Sequence, residues 1–194
     1  MALLRQPSMF RLWVACAMFE AGWMAFAFVV PVRGTELGFS ASNIGLISGT
    51  AGVTLFLVRL FMTPLLRLIT PWQMLLGGMI VLGIGFLGFA VGTQLVWLLF
   101  CAALIGIGQG VASPMINAMI YEQAPSHEAG EALSLRSLIS NAAQAAVPMV
   151  AGPIGAVFGL SPVFWLLAAG LFGTAWWSRG QWSLRQNNSR DPAA

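Results

Sequence analysis

Glu20 is the first residue to explain. It stands near the middle of an apolar run from Phe10 to Val32. A carboxylate at such depth costs a few kcal/mol even on the mildest membrane-insertion scale. Two chemical roles fit it: binding a cationic solute, or taking up a proton. A structural role also fits, in which it accepts a hydrogen bond from Gln144 or Asn117. Cys16, Ala17, Trp23, Met24 and Ala27 share its side of a helix.

Other polar residues fall at helical spacing inside apolar runs. Gln109, Ser113, Asn117 and Tyr121 are each four apart and so share one face. Ser137, Asn141, Gln144 and Pro148 form a second stripe, and Asn43, Thr50 and Thr54 a third. These side chains either bind a solute or tie helices together.

Several other chemistries have no support. Cys16 and Cys101 lie far apart in apolar runs, with no Cys or His spacing suited to a metal, so both read as small buried hydrophobes. Lys is absent, so a phosphate-binding Gly-x4-Gly-Lys loop cannot exist and ATP does not drive the protein through one. The one His, His127, lies in a polar loop beside Glu122, Glu128 and Glu131, and the one Asp, Asp191, lies in the tail. No Ser-His-Asp triad forms inside the apolar part, which argues against an enzyme. Nothing asks for a cofactor.

The elements that carry these residues follow from composition. Of 194 residues, 58% are hydrophobic and 8% charged. A soluble domain carries about 25% charged residues. Six apolar runs with short loops fill nearly the whole chain, and a span needs about 20 residues. We expect an all-α membrane protein of six transmembrane helices: Phe10 to Val32, Ser42 to Leu66, Trp72 to Val91, Leu95 to Tyr121, Leu133 to Phe158 and Pro162 to Trp177. Residues 1–9 form an N-terminal segment and 178–194 a polar tail. The first run is too long for a signal-peptide core.

All nine basic residues are Arg. In a six-span arrangement only Arg33 falls on one side. Arg5, Arg11, Arg59, Arg67, Arg136, Arg179, Arg185 and Arg190 fall on the other. The positive-inside rule then puts both termini in the cytoplasm. The net charge of +3 reads as orientation, not as a nucleic-acid surface. Trp13, Trp72, Trp97, Trp176 and Trp177 read as interfacial anchors. Glycine pairs four apart, Gly45 with Gly49, Gly88 with Gly92, Gly106 with Gly110 and Gly155 with Gly159, predict close helix packing. Runs three and six are almost free of polar side chains, so each triplet has two cavity-facing helices followed by a peripheral one. That order suggests two three-helix repeats.

With these features in place, the chain resembles the C-terminal six-helix half of a major facilitator superfamily transporter, over about Phe10 to Trp177. The stretch PLLRLITPWQ, Pro64 to Gln73, resembles a worn form of the family's signature loop. Leu66 matches its Leu, while Leu68 stands at its acidic position. GIGQG, Gly106 to Gly110, resembles the fourth-helix Arg-x-x-Gln-Gly pattern with Gly106 for Arg. PSHEAGEALSLR, Pro125 to Arg136, resembles a cytoplasmic loop, and PMVAGPIG, Pro148 to Gly155, the antiporter Gly-x-x-x-Gly-Pro stretch.

The resemblance implies gradient-driven or downhill transport of a small solute across the cell membrane by alternating access. It places the pathway on helices one, two, four and five. Candidate solute-binding residues are Glu20, Trp23, Thr54, Gln109, Asn117, Asn141 and Gln144. Candidate gating or loop residues are Arg59, Arg67, Pro71, Arg136, Pro148, Gly152 and Pro153. Blander roles stand beside these: Arg59 snorkelling to the interface, and Arg136 anchoring the end of helix five or the loop before it. A lone half leaves four polar faces without a partner, so a second copy, a separate N-terminal half, or an inactive fragment all fit. Membrane lipid is the surrounding partner.

Overall fold

A computed structural model describes residues 7–65, 69–123 and 129–179. Within them the chain forms six α-helices: α1 (Pro7–Glu36), α2 (Ala41–Leu65), α3 (Pro71–Val91), α4 (Leu95–Gln123), α5 (Ala129–Phe158) and α6 (Ser161–Ser178). Arg67 and His127, and the tail from residue 180, lie outside the described residues.

The helix ends are chemically specified. α1 stops in a Schellman turn at Gly38, whose φ is 73°. Phe39 N–H donates to the Gly34 carbonyl and Gly38 N–H to the Thr35 carbonyl. α5 stops at Gly159, φ 77°, whose N–H bonds back to the Gly155 carbonyl. Gly supplies this left-handed conformation without a Cβ clash. α3 begins with a capping box: the Gln73 N–H bonds Thr70 Oγ1, and the Thr70 N–H bonds Gln73 Oε1. Pro71 occupies the first turn, where its missing N–H costs nothing. It was a gating candidate, and its local role here is to start a helix.

α5 begins at Ala129, four residues before the expected start, so much of the stretch read as a loop up to Arg136 is helical. Pro148 and Pro153 lie inside α5 and Pro31 inside α1 without breaking either helix. Among the described residues, four helical stretches are long and apolar enough to cross a membrane: Met9–Glu36, Ala41–Met62, Pro71–Val91 and Leu95–Glu122. α5 and α6 fall short of that measure. α5 carries Glu131, Arg136, an Asn, a Gln and two Pro. α6, at 18 residues, is long enough but is diluted by Ser, Pro, Gly, Thr and Trp.

α4 is flanked by α2 and α3, α3 also packs on α6, and α6 on α1, which pairs with α5. The core lies where α1, α3, α4 and α6 meet. Phe86 and Phe164 stack at 6.1 Å, and Phe89 meets Phe26 edge-on at 5.9 Å. Trp13, expected as an interfacial anchor, is buried in this core at 3% exposure. Trp72 donates from Nε1 to the Ser178 carbonyl across the α3–α6 contact.

Glycines set the distances around α4. A Cβ on Gly106 would collide with the Ala51 carbonyl and Thr54 of α2, and one on Gly110 would lie 2.9 Å from the Leu55 carbonyl oxygen. Gly108 faces the other way, where a Cβ would sit 2.6 Å from the Gly78 oxygen of α3. The Gly45 and Gly49 pair differs from this expectation. A Cβ built on either meets nothing within 4 Å beyond its own helix, because their face of α2 is open. That face also exposes Leu46, Val53, Phe56 and Leu60. α3, expected at the periphery, is well buried within this chain, and the polar-bearing α2 is the most open span.

Candidate functional site

The polar residues gather on the seam between α1 and α5. Gln144 Nε2 donates to Glu20 Oε2 at 3.2 Å, and Cys16 Sγ lies 3.7 Å from Ser140 Oγ. Both pairs are separated by 124 residues, so the two helices run parallel in a fixed register. Arg136, about two turns into α5, reaches from the same face. Its Nη2 donates to Ser113 of α4 at 3.1 Å and lies 3.8 Å from Glu20 Oε1. Three helices thus meet around one carboxylate.

The register explains which α5 residues take part. Arg136, Ser140 and Gln144 are four apart and face α1. The expected stripe Ser137, Asn141, Gln144 and Pro148 divides. Ser137 and Asn141 are exposed on the outer face, and Ser137 donates to its own helix at the Leu133 carbonyl. Arg136 is not an end-of-helix anchor, because the earlier start of α5 carries it into the bundle. Ser113 belongs to the polar stripe expected on α4, whereas Ser140 was not singled out from sequence, although the four-residue spacing from Arg136 to Gln144 was there to be read. Choosing between adjacent stripes needs the orientation of α5 against α1.

The cluster is incompletely satisfied. Glu20 and Arg136 side chains are 20% and 17% exposed, and their contact is longer than a good charge-assisted hydrogen bond. Arg136 Nε, Gln109 Oε1 and Asn117 Oδ1 are buried without hydrogen-bond partners. Gln109 and Asn117 lie one turn on either side of Ser113, on the same face of α4. Interiors rarely leave polar groups in this state, and each such group asks for an explanation.

The remaining candidates lie elsewhere. Thr54 is half-buried against Gly106, and its hydroxyl donates to the Thr50 carbonyl of its own helix at 2.9 Å. Trp23, one turn beyond Glu20, stacks on Phe26 at 6.1 Å. Arg59 and Pro153 are exposed, Pro148 and Gly152 are partly buried, and no atom lies within 4 Å of a Cβ built on Gly152. Both Cys16 and Cys101 are buried free thiols.

Comparison with known proteins places this arrangement. Over 171 residues the chain is 29% identical to the probable anion transporter 4, chloroplastic, of Oryza sativa subsp. japonica, covering 81% of this chain and 27% of that protein. Over 177 residues it is 29% identical to multidrug resistance protein MdtG of Proteus mirabilis (strain HI4320), covering 86% of this chain and 42% of that protein. The chain therefore spans less than half the length of either relative. Residues 12–191 match the family model described as Major Facilitator Superfamily. With its long apolar helices and a family match over nearly its whole length, this multi-pass membrane chain belongs to the Major Facilitator Superfamily of transporters.

Proposed function

We propose that this chain forms one half of a gradient-driven or downhill transporter for a small solute, and that Glu20 is the group around which solute or proton binds. All six helices cross the membrane in this reading, as two three-helix repeats that work by alternating access. The observation that carries it is the half-satisfied cluster in the interior. Glu20 holds one hydrogen bond and one loose ion pair, while Gln109 and Asn117 present acceptors with no partner. A purely structural network gains most when every member is satisfied. A binding site instead keeps groups in reserve for its ligand. The repeat reading draws support from the packing, since exchanging the first three helices with the last three turns the α2–α4 contact into the α5–α1 contact.

The names of the two relatives differ in cargo, an anion in one and several drugs in the other. The proposal takes from them only transport. The cell membrane is the proposed location, with both termini cytoplasmic. Arg136 no longer serves as a flanking charge in that argument, because it faces Glu20.

The open apolar face of α2 and the outer face of α5, with Leu138, Met149 and Val150 exposed, favour a partner that completes the pathway. That partner is a separate N-terminal half or a second copy. Reconstituted vesicles test the whole reading. Glu20→Gln should reduce solute flux about a hundredfold or more, the scale expected for losing one positioned proton-transfer group. Flux and pH dependence equal to the unaltered chain would sink it. Native mass spectrometry of the purified chain should find a dimer or a complex with a second polypeptide. A stable active monomer would remove the partner from the proposal.

A further inference from the structure

We propose that the seam between α1 and α6 binds one anionic phospholipid, with its phosphate on Arg11 and an acyl chain in the apolar cavity farther along the same seam. Arg11 lies with its guanidinium carbon 5.4 Å from the centre of the Trp177 ring. Phe10 meets the same indole edge-on at 6.1 Å. The contact holds the guanidinium beside the indole face and uses none of its N–H donors. Arg11 Nη1 is buried without a hydrogen-bond partner, and among the described residues no carboxylate pairs with Arg11. A buried guanidinium donor with no anion calls for one, and a phosphate matches its fork geometry. Arg179, stacked on Trp176 at 5.6 Å, adds positive charge at the same end of the bundle.

The second observation is a cavity of about 170 Å³ between α1, α5 and α6. Its walls are apolar, including Met18, Ala21, Ala151, Ile154, Leu166 and Leu167. It is aligned with Arg11. Met18 is seven residues from Arg11 and therefore on the same face of α1. On α6 the lining residues Leu167, Leu166 and Val163 lie 10 to 14 residues from Trp177. The cavity therefore begins about 10 Å from Arg11 along α1 and about 15 Å from Trp177 along α6, at the far end of one leaflet of hydrocarbon, about 15 Å deep. A lipid whose phosphate rests on Arg11 thus places its chain at the cavity. A basic pocket between membrane helices is a known type of site for anionic headgroups. Here charge and apolar space lie in line on one seam. A zwitterionic lipid would bring its own ammonium towards Arg11, so the charge selects an anionic headgroup.

The test uses native mass spectrometry of the full chain in mild detergent, with equal amounts of phosphatidylglycerol and phosphatidylcholine of matched acyl chains. The unaltered chain should retain phosphatidylglycerol at least fivefold over phosphatidylcholine, and rising salt should erode that preference. Arg11→Gln should abolish the preference, and Arg11→Lys should keep part of it. Ala21→Phe, which fills the cavity, should lower retention at least threefold, and excess inorganic phosphate should displace little lipid. Equal retention of the two lipids, a preference unchanged by salt, or one that survives Arg11→Gln would overturn the site. Full displacement by inorganic phosphate, or an Ala21→Phe chain that retains lipid normally, would overturn the acyl-chain seat. The salt series on the unaltered chain decides the matter even if a variant fails to fold.

Discussion

The α2–α4 seam and the α1–α5 seam are held by opposite means. Along α2–α4, Gly106 and Gly110 let two backbones approach until carbonyls fill the space where side chains would stand. The hydroxyls there, on Thr50 and Thr54, bond to carbonyls of their own helix and ask nothing of α4. Along α1–α5, the contact runs through Glu20, Arg136, Gln144, Ser140 and Cys16. A glycine seam has one geometry, because close-packed backbone has nowhere to go. A polar seam can exchange partners, since each donor has several acceptors within a short swing.

The largest effect is expected on the fixed seam. Gly106→Val should cost ~3 kcal/mol or more, because its added atoms meet backbone that cannot rotate away. Unfolding in mixed micelles measures it, and a loss below ~1 kcal/mol would mean that the seam is loose. Gly45→Val is the matched control. It has open space around it, so it should change stability by less than ~0.5 kcal/mol unless a partner covers that face.

The polar seam should respond next. Arg136→Gln leaves Glu20 with Gln144 alone and should cost ~2 kcal/mol, below the full value for a buried pair because both groups keep some exposure. The Glu20→Gln, Arg136→Gln double variant should recover at least ~1 kcal/mol relative to the sum of the single changes. Strict additivity would mean that the 3.8 Å contact carries no coupling.

The smallest effects separate a local hydroxyl from a bridging one. Thr54→Val keeps the shape and loses only a bond to its own helix, so it should stay within ~0.5 kcal/mol. Ser140→Ala removes the partner of Cys16 and should cost slightly more, ~0.5–1 kcal/mol. The reverse order would contradict the contrast between the seams.

Much of the fold was legible because membrane helices announce themselves locally. The apolar runs gave six helices whose boundaries moved by a few residues, most at the end of α1 and the start of α5, four residues each. At α5 the added residues, Ala129 to Ala132, border a polar stretch that hydropathy reads as loop, yet they are helical. The capping box at Thr70 and Gln73 was readable in four letters. The Glu20–Gln144 contact was also within reach, since an acid in an apolar run must find one of few polar partners.

By itself, then, the sequence determined the helices, the isolation of Glu20 and the family likeness, since each depends on residues close in the chain or on composition. Only the tertiary structure decided which stripe of α5 faces α1, that Arg136 turns inward to Ser113 and Glu20, and that Trp13 is core while Gly45 faces open space. The physical reason is rotation. A helix presents several plausible faces, and the one it buries is fixed by the helices that meet it.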